Sequence, residues 1–159
     1  MFDEALRLRL ANRLDALEPA RQAMNAFLAP AGLGPKVSYK LELVLEEIFM
    51  NLLWHAFKDG AEHTIELAVQ RLPGEVVLDF EDDGIAFDPT RATEPARPAS
   101  TASAPDVPVG GRGLLLLRRS ASSLRYERCD GRNRLRVAIP VADDAARNGI
   151  AGQTVPRCG

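Results

Sequence analysis

KVSYKLELVLEEIFMNLLWHAF, residues 36–57, is where the fold can first be read. Val37, Leu41, Val44, Leu45, Ile48, Leu52 and His55 recur at steps of three and four. That spacing predicts one long helix with a single apolar stripe, ended by Asp59-Gly60. At about 100° per residue, positions four apart lie side by side, so Glu47 and Asn51 project together from the flank of the stripe. Glu46 points about 100° away and faces solvent. A carboxylate beside a carboxamide at the edge of a core can act jointly. The amide oxygen can ligate a hard cation such as Mg²⁺, and the carboxylate can take a proton from a hydroxyl or a water. The same two residues could equally form a local boundary pair.

Outward from this helix the period changes. Leu6, Leu8 and Leu10 alternate with Arg7 and Arg9, which predicts a strand over 5–12. Residues 15–29 read as a helix, broken by prolines and glycines over 30–35. Ile65, Leu67 and Val69, the Pro73-Gly74 turn, then Val76, Leu78 and Phe80 predict an antiparallel hairpin. Residues 89–109 hold five of the eleven prolines and read as a mobile loop. Gly110-Gly111-Arg112-Gly113 then opens a short helix from Leu114 to about Ser122. Strands over 124–129 and 134–141 follow, joined by Asp130-Gly131. Alternation in every strand predicts a sheet with one covered face. The expectation is an α+β two-layer sandwich: a mixed, mostly antiparallel sheet of five strands under three helices. Residues 1–142 read as a single domain and 143–159 as a flexible tail.

Composition narrows the function. The chain has 159 residues, 20 Lys plus Arg against 22 Asp plus Glu, and a net charge of -2. That balance gives no electrostatic case for nucleic acid or an anionic membrane. The longest aliphatic run, Leu114 to Leu117, is far short of a spanning helix. The first residues carry no secretory signal, and Cys129 and Cys158 fit no metal-ligand spacing. The expectation is a cytoplasmic protein with reduced thiols.

Two further clusters carry chemistry. Val76, Leu78 and Phe80 face the helices, so Asp82 continues on the covered face while Asp83 points away. A carboxylate there needs a donor, and an adenine amino group is a suitable one. Gly84 would let the backbone turn without a side chain entering the cavity. The glycine turn at 110–113 can offer free backbone N–H groups to phosphate. It is neither a Walker A loop, since no Gly-Lys-Ser/Thr follows, nor a Rossmann fingerprint, since no strand immediately precedes it.

Taken in order, Glu47-x-x-x-Asn51 on a helix, Asp82-x-Gly84 ending a strand, a long loop, and Gly111-x-Gly113 opening a helix resemble the Bergerat-fold (GHKL) ATPases, which include histidine kinases, gyrase and MutL. The chain is most similar there to the anti-sigma-factor serine kinases of the RsbW/SpoIIAB type, over about residues 5–141. Leu45 to Asn51, with His55-Ala56-Phe57, looks like the N-box. Asp82-Asp83-Gly84 with Phe87-Asp88-Pro89 looks like the G1 box, and Gly110 to Leu114 like the G2 box. The resemblance implies ATP and Mg²⁺ as cofactors. Asn51 would hold the metal and Glu47 would be the general base. Asp82 with Gly84 would receive adenine, residues 89–109 would be the ATP lid, and Gly111 and Gly113 would contact phosphate. His55 and Lys58 match phosphate-contacting places in relatives with a longer N-box. A core histidine and a lysine at a helix C-terminus are the other readings of those two.

The implied function is an ATP-dependent protein serine/threonine kinase and anti-sigma-type regulator of transcription. It would phosphorylate a STAS-domain antagonist in a partner-switching circuit, with a sigma factor as a second partner and a homodimer as in many relatives. The alternative is a nucleotide-gated binding module that sequesters a partner without phosphoryl transfer. The loop at 89–109 departs from the family in lacking lysine; its basic residues are Arg91 and Arg97.

Overall fold

A computed structural model describes residues 4–91 and 117–141. Its elements run β1 (Ala5–Ala11), α1 (Leu17–Leu28), α2 (Pro35–His55), β2 (Thr64–Leu72), β3 (Glu75–Asp82), β4 (Ser123–Cys129) and β5 (Arg132–Pro140). Residues 117–120 are helical. The expected lid, the glycines at 110–113 and the tail lie outside the described residues.

The five strands form one sheet in the order β1-β2-β3-β5-β4. All four pairings are antiparallel, so the sheet is not mixed. The turns explain the registers. Asp130 and Gly131 both have positive φ, 50° and 76°, which is the two-residue turn that matches strand twist and sets Cys129 opposite Arg132. Gly74 at φ 80°, after Pro73, closes the β2–β3 hairpin.

Pro35 starts α2, where its missing N–H costs nothing. The segment expected as one helix over 15–29 is a 3-10 turn at Leu14–Ala16, then α1, then a second 3-10 turn at Ala29–Ala31. α2 buries a wider arc than its stripe, with Phe49, Glu47 and Asn51 covered as well as Leu41, Leu45 and Ile48. These helices pack on the face built from Ile65, Leu67, Val69, Leu78, Phe80 and Val137. Burying this apolar surface is the main stabilising term, at about 25 cal/mol per Å².

The other sheet face is ionic. Asp79 pairs with Arg136 at 3.0 Å, and Glu81 pairs with Arg134 at 3.0 Å and with Arg132. Glu46, expected to face solvent, is part-exposed and meets Arg21 of α1 at 3.2 Å. Among the described residues, no helix is long and apolar enough to cross a membrane.

Candidate functional site

The C-terminal half of α2 and the end of β3 come together at one edge of the sandwich. On α2, the Asn51 Nδ2 donates to the Glu47 carbonyl at 2.6 Å. With its nitrogen committed to its own helix, Asn51 keeps its Oδ1 as the atom free to meet a cation. Asn51 is only 4% exposed and Glu47 6%. Among the described residues the Glu47 Oε2 has no hydrogen-bond partner. Burial, and secondarily the neighbouring Glu46, hold the Glu47 carboxyl above its ordinary pKa. A buried carboxylate oxygen with nothing to accept from is costly for the fold, and it is the group a proton donor or a cation would satisfy. These donors fit Mg²⁺, which takes hard oxygens and completes its shell with phosphate and water.

At the end of β3, Asp82 is 2% exposed, as the pleat predicts. Its surroundings contrast with those of Glu47. The Asp82 Oδ1 accepts from the Gly84 N–H at 2.8 Å and from the Asn133 Nδ2 at 2.9 Å. Burial raises the Asp82 pKa, and these two donors oppose the rise. Asn133 comes from β5, directly opposite Asp82 in the register. It was not picked out from the sequence, although the signal was present. Leu135, Val137 and Ile139 face inward, so position 133 lies on the same covered face, and a polar residue there needs partners.

A β-carbon at Gly84 would lie 2.4 Å from the carbonyl oxygen of Ala56. The missing side chain makes room for the end of α2. The next residue completes the contact, with the Ile85 N–H donating to the same carbonyl at 2.8 Å. His55 stacks on Phe87, ring centroids 4.8 Å apart, so the N-box and G1 segments touch at a second point. Burial and the Lys58 charge lower the His55 pKa. Lys58 is exposed and donates to the Trp54 carbonyl at 3.0 Å, the arrangement a helix C-terminus favours.

His63 was also not legible, because its partners are distant in sequence. Its Nδ1 meets the Asp83 Oδ1 at 2.9 Å and its Nε2 meets Asp59 at 2.8 Å. The structure therefore brings His55 and the end of α2 against Gly84 and the turn after Asp82, leaves Glu47 and Asn51 buried further back along the same helix, and places Lys58 as a cap at its end. Gly111 and Gly113 lie outside the described residues.

Comparison with known proteins fits this geometry. Residues 10–139 match the model of the histidine kinase-like ATPase domain. The chain is 36% identical over 100 residues to the serine/threonine-protein kinase BtrW of Bordetella bronchiseptica, covering 63% of this chain and 68% of that protein. A crystal structure of the RsbU and RsbW domains of Rv1364c from Mycobacterium tuberculosis superposes with a TM-score of 0.60 at 16% identity, over 87% of this chain. That likeness is one of fold, and this chain spans 32% of that longer one. ATP is the nucleotide such a domain binds. The chain belongs to the histidine kinase-like ATPase domain family and is a relative of a serine/threonine-protein kinase of that family.

Proposed function

We propose that the protein transfers the γ-phosphoryl group of ATP to a serine or threonine of a partner protein, a STAS-domain antagonist, within a cytoplasmic anti-sigma partner-switching circuit. The observation that carries this reading is the Glu47 carboxylate, buried and without a partner on Oε2 among the described residues, one helical turn from Asn51. A merely structural glutamate at a core boundary would be hydrogen-bonded or turned to water.

Phosphoryl transfer depends mainly on positioning and on neutralising charge. Asp82 holds the base of the nucleotide at one end of the site. Asn51, through Oδ1, would hold Mg²⁺ at the other, and the ion when bound neutralises phosphate charge. Glu47 accepts the proton of the attacking hydroxyl. The raised pKa makes Glu47 a stronger base than an exposed carboxylate once it is ionised. His55 and Lys58 stand near the phosphate end, and Gly111 and Gly113 are proposed as its backbone contacts.

The test is transfer from γ-labelled ATP with Mg²⁺ to proteins of the source organism, comparing wild type with Glu47→Gln. A small protein labelled on serine or threonine by wild type alone supports the kinase. Equal labelling by both removes Glu47 as the base. Tight ATP binding with no labelled product would favour a nucleotide-gated binding module instead.

A further inference from the structure

Asn133 forms hydrogen bonds through every position an amide offers. Its Nδ2 donates to the Asp82 Oδ1 at 2.9 Å and to the Ile85 carbonyl at 2.8 Å. Its Oδ1 accepts from the Tyr126 hydroxyl and from the Arg128 Nη1, both at 2.7 Å. Arg128 also donates to the Gly84 carbonyl at 3.0 Å. The side chain is 3% exposed. A flipped amide would set oxygen against carboxylate and carbonyl, and N–H against guanidinium. Tyr126 and Arg128 therefore fix which way Asn133 points.

We propose that Asn133 is a positioning residue for the base-binding site. It ties the end of β3 to the turn after it and loads the Asp82 Oδ1 with a donor, so that Oδ2 is the oxygen offered to the amino group of adenine. This rests on the reading of Asp82 as adenine's acceptor. The chemistry requires Asp82 to be ionised, since only the carboxylate accepts on both oxygens. Burial works against ionisation, and the Asn133 and Gly84 donors work for it. The charged groups acting on Asp82 are Asp83, its neighbour in the turn, which opposes ionisation, and Arg128 of β4, which favours it. Removing the Asn133 donor leaves burial less opposed, so Asp82 takes up its proton at higher pH and nucleotide binding fails earlier on acidification.

The experiment measures ATP affinity from pH 5 to 8.5 for the full chain, in wild type, Asn133→Leu, Asn133→Asp and Asp82→Asn. Midpoints are compared with wild type, so that titration of ATP itself cancels. The low-pH midpoint should rise by about one pH unit in Asn133→Leu. It should rise further in Asn133→Asp, where a second carboxylate faces Asp82. Tyr126→Phe, which loses a single hydroxyl from the network, should move the midpoint in the same direction by less. Unchanged midpoints in folded variants, or an affinity loss equal at every pH, would overturn the inference, because a purely structural role produces no shift. If Asn133→Leu does not fold, Asn133→Asp and Tyr126→Phe decide the matter. Wild-type affinity in Asp82→Asn at every pH would instead remove the base-site reading itself.

Discussion

Two buried carboxylates, both assigned to the proposed nucleotide site, have opposite surroundings. Asp82 at the end of β3 receives two donors on Oδ1 and sits in a network that runs through Asn133 to Tyr126 and Arg128. Glu47 on α2 has an Oε2 that receives nothing among the described residues. Both have raised pKa values, with burial the leading cause in each. A group meant to recognise a ligand must point one way, so its other contacts are filled. A group meant to take up a proton must keep a lone pair open, and the fold bears the cost of that opening.

Exchanging the two amide substitutions should separate these roles most sharply. Glu47→Gln should lower the transfer rate about a hundred- to ten-thousand-fold with ATP affinity unchanged. Asp82→Asn should instead weaken ATP binding. Steady-state rates beside direct binding measurements tell the two patterns apart. In wild type, transfer should also fall as pH drops through the raised Glu47 pKa, because only the ionised base accepts a proton.

The second prediction strikes the contact that joins the two regions. Gly84→Ala sets a methyl group against the Ala56 carbonyl, which is backbone and cannot rotate away. Thermal or denaturant unfolding should show a loss of about 1–3 kcal/mol, together with weaker ATP binding.

The third is a gain. Glu47→Gln removes a buried charge whose Oε2 has no partner among the described residues, so the inactive variant should be more stable by about 1 kcal/mol at neutral pH. The sign follows from linkage. A carboxyl whose folded pKa is raised loses stability as pH rises from its unfolded value through its folded one. The gain should therefore vanish at acid pH, grow as pH rises from the ordinary carboxylate value to the raised Glu47 pKa, and stay level above it. Equal stability of the two proteins at neutral pH would mean that the carboxylate is satisfied after all.

The smallest effect concerns His63, which binds Asp59 and Asp83 on opposite ring nitrogens. A neutral imidazole has one N–H and can donate to only one of them. The pair of acids therefore raises the His63 pKa. Its contribution to stability is fully present below the ordinary histidine value of about 6.5 and is lost as pH rises through the raised folded value. Melting temperatures of wild type and His63→Gln should differ at low pH and converge above it.

Much of this architecture was legible because it depends on local period. The α2 stripe, the alternating strands and the Asp130-Gly131 turn each follow from a few neighbouring residues. Glu47, Asn51 and Asp82 could be placed from helical spacing and the pleat alone. What escaped depends on pairing between distant strands. Asn133 meets Asp82 only once β5 docks beside β3, and His63 meets Asp83 only once β2 and β3 align. The contact made by Gly84 escaped because nothing in its neighbourhood announces that the end of α2 stops against it. The 3-10 turns flanking α1 escaped for a different reason, since a residue composition that favours an α-helix also tolerates the tighter turn.

The contact of Gly84 and Ile85 with the Ala56 carbonyl has a mechanical consequence. It works as a rigid coupling between a lever and its seat. The lever is α2, 21 residues long, which carries Glu47 and Asn51 in its C-terminal half and meets with its far end the turn that follows Asp82. With no side chain between them, the end of the helix and the turn after Asp82 are in direct backbone contact. If a partner on α2 and a nucleotide at the proposed base site are coupled through this contact, each changes the other's affinity by the same factor. Two contacts would carry that coupling, the Ala56 peptide group and the stack of His55 on Phe87.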